Sequence, residues 1–359
     1  MVILVGRESR ETMHIAEVLV AERDPIRAVL KAIDRVGSSR AFVTDSSGRL
    51  VGAICERDIR KALLAGAGLD SPSAALVRDA GVVTKPEVGR AEALDLMQAL
   101  GLRELPVVDQ DGRVVGVHTD CVPAGVQPRH NAAVIMAGGR GSRLAPLTEH
   151  VPKPMLRVAG RPILERLVLH LVGAGISRIF ISLNYLGEII EEHFGDGARF
   201  GCRIEYLRED RSVPLGTGGS LRLLTQYGDI AEPLLVMNGD LVTDFSVGDL
   251  LDAHAGEGVA VTVASVQYQH QVPFGVLEQT NGRLVRLVEK PVPTWPVNAG
   301  IYVLEPELIS KIPNGRLFPM TDLLDQCLKY GWPVGLWPLQ EHWQDIGRPA
   351  DLARSRGEG

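Results

Sequence analysis

The sequence predicts an α/β protein in which a mostly parallel sheet, flanked by helices, is preceded by a smaller α/β repeat module. Three observations predict this fold class: an internal repeat early in the chain, a change to alternating strand and helix patterns after residue 131, and a glycine-rich loop directly after the first strand of that second part. We place the repeat module at residues 1–122, a linker at 123–131 and the larger domain at 132–356.

The repeat consists of two copies of one pattern. The sequence Gly-Arg-Leu-Val-Gly at residues 48–52 recurs as Gly-Arg-Val-Val-Gly at 112–116, and Gly37 recurs in the same way as Gly101. Each copy is typical of a helix, a strand, a polar turn and a second strand, which is too little to enclose a core, so the two copies are expected to stack. The following segment, Pro123 to Asn131, is rich in turn formers and is typical of a linker.

From Ala132 onward, short apolar segments alternate with helical patterns. The first is the strand pattern at residues 133–136, and a helix with Pro162 in its first turn follows the glycine-rich loop. This alternation predicts a Rossmann-like, mostly parallel sheet with helices on both faces and a ligand site at the carboxyl ends of its strands. The Asn281-Gly282 pair between two apolar stretches predicts a hairpin added to that sheet.

Composition and charge narrow the functional classes. The 359 residues are 45% hydrophobic and 23% charged, with a formal net charge of −6 and no basic stripe, so a nucleic-acid partner is not expected. The apolar runs are far shorter than the ~20 residues that cross a bilayer, and no signal-peptide pattern opens the chain. We therefore expect a cytoplasmic protein without a membrane partner. The four cysteines lie far apart and predict neither a zinc site nor a disulfide framework.

The glycine-rich loop carries the densest chemistry of the chain. Residues 137–148 read Ala-Gly-Gly-Arg-Gly-Ser-Arg-Leu-Ala-Pro-Leu-Thr, and Pro-Lys-Pro follows at 152–154. Glycines allow backbone N–H groups to face phosphate oxygens, while Arg143 and Lys153 supply cations that could neutralise a transferring phosphoryl group. The loop lacks the Gly-Lys-Ser/Thr of a Walker A loop, and Leu144 stands where a dinucleotide fingerprint has its third glycine. The alternative is that this loop is a plain surface turn without a binding role. The strand before it and the two cations disfavour that alternative.

This loop resembles the signature of the sugar-phosphate nucleotidylyltransferases, G-G-x-G-[ST]-R-L-x-P-L-T-x(3)-P-K-P, which is present without a gap at residues 138–154. Further motifs of that family follow in order, so that the resemblance covers about residues 131–350. These motifs are Asn238-Gly239-Asp240, Phe274-Gly275-Val276, Val288-Glu289-Lys290-Pro291, Asn298-Ala299-Gly300-Ile301-Tyr302 and Trp343-Gln344-Asp345-Ile346-Gly347. The resemblance implies an enzyme that joins a nucleoside triphosphate to a sugar-1-phosphate and releases pyrophosphate.

The resemblance also implies a role for each motif. Arg143, Lys153 and Asp240 would be catalytic, and Asp240 with Asp345 would bind Mg²⁺, which prefers a few carboxylates together with phosphate oxygens and water. Glu209 could accept hydrogen bonds from the N1–H and the exocyclic amine of guanine. The remaining nucleotide-binding candidates are Ala137, Gly138, Gly139, Gly141 and Gly218, and the sugar-phosphate candidates are Gly275, Glu289, Lys290, Asn298 and Gly300.

The N-terminal repeat resembles a tandem CBS domain pair, also called a Bateman module. That family carries G-h-h-[ST]-x-x-D, whose hydroxyl and carboxylate meet an adenine nucleotide. The first copy keeps Asp58 but has Cys55 in place of Ser or Thr, and the second keeps Thr119 but lacks the aspartate. Asp58 and Thr119 are therefore the candidate ligand contacts, and a purely structural or dimer-forming role stays open. Because CBS pairs commonly associate, a homo-oligomer is expected.

Joined to a short nucleotidylyltransferase, the CBS pair most resembles the glucosamine-1-phosphate guanylyltransferases of legionaminic-acid biosynthesis. This resemblance favours GTP and glucosamine-1-phosphate as substrates. A uridylyl- or thymidylyltransferase for another hexose-1-phosphate is the alternative, because such enzymes share every motif quoted above. The alternative from another class is a catalytically inactive, nucleotide-sensing regulatory protein, which the intact cations and carboxylates disfavour.

Overall fold

A computed structural model describes residues 18–36, 38–119, 126–210, 212–228 and 230–356. Gly37 of the repeat, the end of the predicted repeat module and the start of the predicted linker therefore lie outside the described residues. The chain forms two compact units, one of residues 1–130, 168–179 and 194–204 and the other of residues 131–167, 180–193 and 205–359. No helix in the described ranges has the length and apolar character needed to cross a membrane.

The two copies of the predicted repeat have the same fold. The first helix and both strands of the hairpin begin 64 residues apart in the two copies, which confirms the repeat. The strands form a three-stranded sheet, β1-β2-β3, and a two-stranded sheet, β4-β5. The elements are β1 Leu19–Ala21, α1 Ile26–Val36, β2 Arg40–Thr44, β3 Leu50–Cys55, α2 Glu56–Leu64, α3 Arg90–Leu100, β4 Glu104–Val108 and β5 Val114–Thr119.

The copies contact each other at their hairpin turns, in agreement with the prediction that they stack. Leu50 N–H donates to the carbonyl of Gly112 at 3.0 Å, and Val114 N–H donates to the carbonyl of Gly48 at 3.1 Å. The two hydrogen bonds join equivalent residues, since Leu50 corresponds to Val114 and Gly48 to Gly112 in the repeat. Gly48 and Gly112 have φ values of 80° and 78°, a conformation that glycine adopts without steric cost.

The larger domain is built on a seven-stranded sheet with the order β10-β9-β6-β11-β16-β13-β17. β6 is parallel to β11 and β13 is parallel to β17, whereas β16 runs antiparallel to both of its neighbours. The mostly parallel, mixed α/β sheet confirms the predicted fold class. Its elements are β6 Arg129–Met136, α4 Ile163–Gly173, β9 Ile176–Leu183, α5 Gly187–Phe194, β10 Arg203–Arg208, α6 Gly216–Gly219, β11 Leu234–Asn238, α7 Val247–Glu257, β13 Val261–Gln269, β16 Thr294–Leu304, α8 Met320–Tyr330, β17 Val334–Pro338 and α9 Pro349–Ser355.

The central strands of the sheet are apolar and buried on both faces. Residues 133–135 of β6 have no exposed surface, and the same holds for residues 234–237 of β11. A strand buried on both faces carries a continuous apolar run rather than an alternating one, as these segments do. The predicted helix with Pro162 before its first residue is α4, whose Leu164 and Leu167 are at most 1% exposed.

Three small two-stranded sheets complete the domain, and one of them forms the candidate site. β12 pairs antiparallel with β18, with Leu241 opposite Asp345. The predicted hairpin at Asn281-Gly282 is confirmed as β14-β15, and both turn residues have positive φ, 50° and 75°. The strands are β7 Arg157–Val158, β8 Arg161–Pro162, β12 Leu241–Thr243, β14 Val276–Thr280, β15 Arg283–Val288 and β18 Trp343–Asp345.

Candidate active site

The glycine-rich loop is folded tightly against the residue that follows it in the motif, Lys153. Gly141 has φ 62°, and its carbonyl accepts a hydrogen bond from the Thr148 hydroxyl at 2.9 Å. A Cβ added at Gly141 would lie 2.9 Å from Cβ of Lys153 and 3.1 Å from a methyl of Thr148. A glycine at this position therefore allows Lys153 to reach the site.

This geometry predicts unequal effects of two neighbouring substitutions. Gly141→Ala should lower the free energy of unfolding by about 1–2 kcal/mol, because alanine is strained at positive φ and its methyl group would displace Lys153. Gly139→Ala is the matched control, since nothing lies within 4 Å of its added Cβ. Urea unfolding of both variants measures the difference, and equal stability losses would contradict the assigned packing.

Lys153, Asp240 and Asp345 form a charge cluster at the carboxyl end of the sheet. Asp240 follows β11 by two residues, and the antiparallel register of β12 and β18 brings Asp345 beside it. The Ile346 N–H donates to the Asp240 carbonyl at 3.0 Å, which fixes the two segments together. Nζ of Lys153 donates to Oδ2 of Asp240 and lies 3.8 Å from Oδ1 of Asp345. The structure thus assembles three predicted residues from three distant motifs.

Lys153 and Arg143 do not fully offset the repulsion between the two neighbouring carboxylates and the effect of burial. Burial raises the pKa of Asp345, and the nearby Asp240 carboxylate raises it further, while Lys153 and Arg143 oppose the shift. Arg143 itself is exposed, in a short 3₁₀ turn of the loop. A cation would therefore be favoured next to these two carboxylates.

The donor set fits the predicted divalent cation. Oδ1 of Asp240 is buried and has no hydrogen-bond partner among the described residues, although a buried carboxylate oxygen normally has one. With Asp345 beside it, this oxygen presents the hard, anionic ligand that Mg²⁺ prefers. The described residues contain no group of three or more His, Cys, Asp or Glu side chains placed to hold a metal ion. Phosphate oxygens and water would supply the other ligands.

A cavity of about 400 Å³ opens next to the cluster, within the size range of small-molecule sites. Four of the predicted site residues line it: Gly138, Gly139, Glu209 and Asp240. The cavity therefore brings together the glycine-rich loop, the end of β10 and the end of β11, as expected for a ligand site at the carboxyl ends of the strands.

Glu209 is the most heavily hydrogen-bonded side chain of the cavity wall. It accepts from the Ser182 hydroxyl at 3.0 Å, from Nδ2 of Asn184 at 3.3 Å and from the Leu215 N–H at 2.9 Å. A carboxylate has about four acceptor positions, so these donors leave one for a ligand. Acceptance of both guanine donors by Glu209 would thus require one of these three bonds to open.

Two other predicted nucleotide-binding residues have structural partners. The Ala137 N–H donates to the Ser182 carbonyl at 3.1 Å, and Ala137 is 1% exposed. The Gly218 N–H donates to the Phe318 carbonyl at 2.9 Å, and a Cβ added at Gly218 would lie 2.9 Å from the same oxygen. The glycine at position 218 is therefore explained by close packing of two backbone segments.

The predicted sugar-phosphate residues fall into two groups. Asn298 accepts from the Gly300 N–H at 2.9 Å, and a side chain at Gly300 would collide with Asn238, which lines the cavity. Gly275 and Glu289 lie together at the base of hairpin β14-β15, directly before β14 and directly after β15, and an added Cβ at Gly275 would lie 2.9 Å from the Glu289 carboxylate. Lys290 follows Glu289 with φ 44° and is exposed. The first group therefore adjoins the cavity, whereas the second lies at the base of hairpin β14-β15.

Sequence reasoning missed several residues of the cavity wall. Ser182 and Asn184 lie at the end of β9, and Arg140 and Thr217 also line the cavity. The rule that ligands bind beyond the carboxyl ends of strands could have found the first two, because both lie at such an end. Arg140 occupies the variable position of the motif, so the resemblance gave no signal for it.

The two candidate residues of the repeat lie in different surroundings. Oδ2 of Asp58 accepts a hydrogen bond from the Cys55 thiol at 3.1 Å, and that bond together with nearby arginines lowers the pKa of Asp58. Cys55 and Asp58, the fourth and last positions of the motif in this copy that would meet a ligand, are therefore in direct contact. Thr119 ends β5 and is 6% exposed.

Comparisons with known proteins match two parts of the chain to two families. Residues 132–356 match the family model "Nucleotidyl transferase", and residues 11–65 and 81–117 match the CBS domain. The mannose-1-phosphate guanylyltransferase of Mycobacterium tuberculosis is 35% identical over 63% of this chain and 64% of its own length. The UTP--glucose-1-phosphate uridylyltransferase of Synechocystis is 30% identical over 61% of each chain. The chain thus spans less than two thirds of the length of the curated relatives it matches.

A solved structure extends the comparison to the fold. HddC from Yersinia pseudotuberculosis is 26% identical, with a TM-score of 0.51, and the match covers 64% of this chain and 99% of HddC. The matched family model covers more than half of the chain and contains the loop, the charge cluster and the cavity. The chain therefore belongs to the nucleotidyl transferase family and carries CBS domains at its N-terminal side.

Proposed function

We propose that this protein transfers a nucleotidyl group from a nucleoside triphosphate to a hexose-1-phosphate, giving a nucleotide-sugar and pyrophosphate. We assign the reaction to residues 132–356 and a regulatory role to residues 1–122, joined by the linker at 123–131. The observation that carries the proposal is the placement of Lys153 between Asp240 and Asp345, beside the glycine-rich loop and the cavity.

The transfer forms one P–O bond and breaks another. An oxygen of the sugar phosphate attacks the α-phosphorus in line, and pyrophosphate leaves with the electron pair of the broken bond. The chain's contribution is positioning and charge neutralisation. The Gly138, Gly139 and Gly141 backbone and Arg143 hold the triphosphate, and Lys153 stabilises negative charge on the α-phosphate. Asp240 orients Lys153 through their hydrogen bond.

A divalent cation, Mg²⁺ in this proposal, would be held by Asp240 and Asp345. When bound there it would neutralise phosphate charge and stabilise the leaving pyrophosphate. The unpartnered Oδ1 of Asp240 supports this assignment. Glu289 and Lys290, with Gly275, Asn298 and Gly300, would bind the sugar phosphate.

GTP is the favoured donor and glucosamine-1-phosphate the favoured acceptor. The names of the relatives support guanylyl transfer, because several are mannose-1-phosphate guanylyltransferases, and they make mannose-1-phosphate the first acceptor to compare. A uridylyltransferase is the second candidate, supported by the Synechocystis relative. Pyrophosphate release with each of the four nucleoside triphosphates against glucosamine-, mannose- and glucose-1-phosphate tests the assignment. We expect the highest kcat/KM with GTP and glucosamine-1-phosphate. The highest kcat/KM with UTP and glucose-1-phosphate would instead assign the protein as a uridylyltransferase.

Glu209 offers a test of how the base is held. Because Glu209 joins the ends of β9 and β10 to Leu215, Glu209→Ala should raise the KM for every nucleoside triphosphate by about tenfold or more. Glu209→Gln should stay within about threefold of wild type, since the Ser182 hydroxyl can rotate to accept from the new amide. Initial rates with GTP and UTP measure both effects. A loss specific to GTP in Glu209→Gln would instead indicate direct guanine recognition.

For the CBS pair we propose an adenine nucleotide as regulator, bound through Asp58 and Thr119. The support is the Cys55–Asp58 contact, which places two positions of the motif side by side in the first copy. Isothermal titration of the full chain with ATP and AMP tests this proposal. Binding that Asp58→Ala abolishes is expected, and identical binding by Asp58→Ala would exclude the site.

A further inference from the structure

Strands β13 and β16 continue past the main sheet as a two-stranded ribbon. β17 pairs with β13 only as far as Ser265, and β11 pairs with the opposite end of β16. Beyond Ser265, β13 and β16 pair with each other as far as Gln269, and two further backbone hydrogen bonds, of 3.2 and 3.0 Å, carry the ladder toward hairpin β14-β15. We refer to residues 266–297 as the β-arm.

One face of the β-arm hairpin is apolar and uncovered. Leu277 lies directly opposite Leu287, and a register shift after Glu278 places Leu284 on the same face. These three leucines are 59–64% exposed. The other face carries the ion pair between Glu278 and Arg286, at 3.3 Å. The hairpin is therefore amphipathic, with its apolar face in solvent in the single chain.

The apolar surface of the whole β-arm is large. Phe274 is 73% exposed, and Tyr268, Val285, Val292 and Trp295 are each 49–61% exposed. Together with the three leucines these side chains offer roughly 800 Å² of apolar surface, given that one aromatic side chain covers ~200 Å². About 800 Å² is what each partner contributes to a stable protein–protein interface, so the apolar side chains of the β-arm are sufficient for one if a partner covers them all.

We propose that the β-arm of a second copy of this chain covers this surface, in a two-fold symmetric dimer. An apolar face can pack on its own copy, which is the requirement of a two-fold interface. The β-arm contains two acidic residues and three Lys or Arg, whereas the whole chain has a net charge of −6. Contact through the β-arms therefore avoids the repulsion between two acidic surfaces.

Two further features support a partner at this place. An isolated two-stranded hairpin is only marginally stable in water, so β14-β15 gains from being covered. Glu289 and Lys290 follow β15 directly, and the dimer contact would hold the segment that carries them.

Sedimentation velocity of the full chain tests the proposal. Wild type should sediment as a dimer or a multiple of one, and Leu277→Lys/Leu287→Lys should have half its mass. Leu328→Lys is the matched control, because Leu328 is 66% exposed and belongs to α8, which is not part of the β-arm. Circular dichroism and thermal unfolding verify that each variant is folded. A monomeric wild type at micromolar concentration would overturn the proposal. A folded double variant with the wild-type mass would also overturn it, because that result is expected if the chain associates through the CBS pair alone.

Photo-crosslinking keeps the proposal testable if the double variant does not fold. A photoreactive residue at position 284 should produce covalent dimers of the chain, whereas one at position 328 should not. Crosslinks from position 284 only to other proteins, or at the same yield as from position 328, would overturn the assignment.

Discussion

Asp240→Asn is expected to lower kcat for pyrophosphate release on the order of 10³-fold while leaving the fold intact. Asp240 accepts from Lys153, lies beside Asp345 and keeps a buried oxygen without a partner. The amide removes the negative charge that positions Lys153 and that a divalent cation requires. Single-turnover rates with saturating substrates measure the loss.

The control for this variant is Asp325→Asn, because Asp325 is an exposed aspartate on α8. It should keep wild-type turnover and the same unfolding midpoint as Asp240→Asn. A turnover within tenfold of wild type in Asp240→Asn would contradict the proposed role of the carboxylate.

Lys153→Met is expected to lower kcat by about 10²–10³-fold, with the KM for the nucleoside triphosphate changed much less. Lys153 is the cation between the two carboxylates, and its charge would act on the α-phosphate mainly in the transition state. Initial rates over a range of nucleotide concentrations separate kcat from KM. Lys311→Met, at an exposed lysine, is the matched control.

Lys153→Met also separates transfer from metal binding. Asp240 and Asp345 remain in this variant, so titration with Mn²⁺, followed by electron paramagnetic resonance, should show that the cation still binds. An unchanged kcat, or a loss that appears only as a higher KM, would show that Lys153 binds substrate without stabilising the transfer.

The sequence predicted the fold well where local patterns carry the information. The apolar patterns predicted the sheet and α4, and the Asn281-Gly282 pair predicted hairpin β14-β15. These signals could be read from the sequence because they depend only on neighbouring residues. The 64-residue offset of the repeat gave both copies for the same reason.

The site was harder to predict because it depends on the register of distant segments. Asp240 and Asp345 are brought together by the pairing of β12 with β18, two three-residue strands that no periodicity reveals. The resemblance to a family placed both residues in one site. The resemblance could not predict that the Glu209 carboxylate accepts three hydrogen bonds from the chain itself. It also could not predict that Gly218 packs on the Phe318 carbonyl, because both contacts depend on loop geometry.

The apolar face of the β-arm was also outside the reach of sequence patterns. Leu284 and Leu287 are three residues apart, so strict strand alternation places them on opposite faces. The register shift after Glu278 places them on the same face. Only the structure therefore shows an amphipathic hairpin.

Phosphorus-31 NMR of one reaction mixture tests the central proposal most directly. Wild-type protein, Mg²⁺, GTP and glucosamine-1-phosphate, with mannose-1-phosphate in a parallel sample, are followed until the triphosphate signals disappear. Stoichiometric appearance of one pyrophosphate and one sugar-linked diphosphate, abolished in Asp240→Asn, is the predicted result. Unchanged triphosphate in these samples, and in the same samples prepared with ATP, CTP or UTP in place of GTP, would contradict the transferase assignment and, if nucleotide still binds, support a nucleotide-sensing protein.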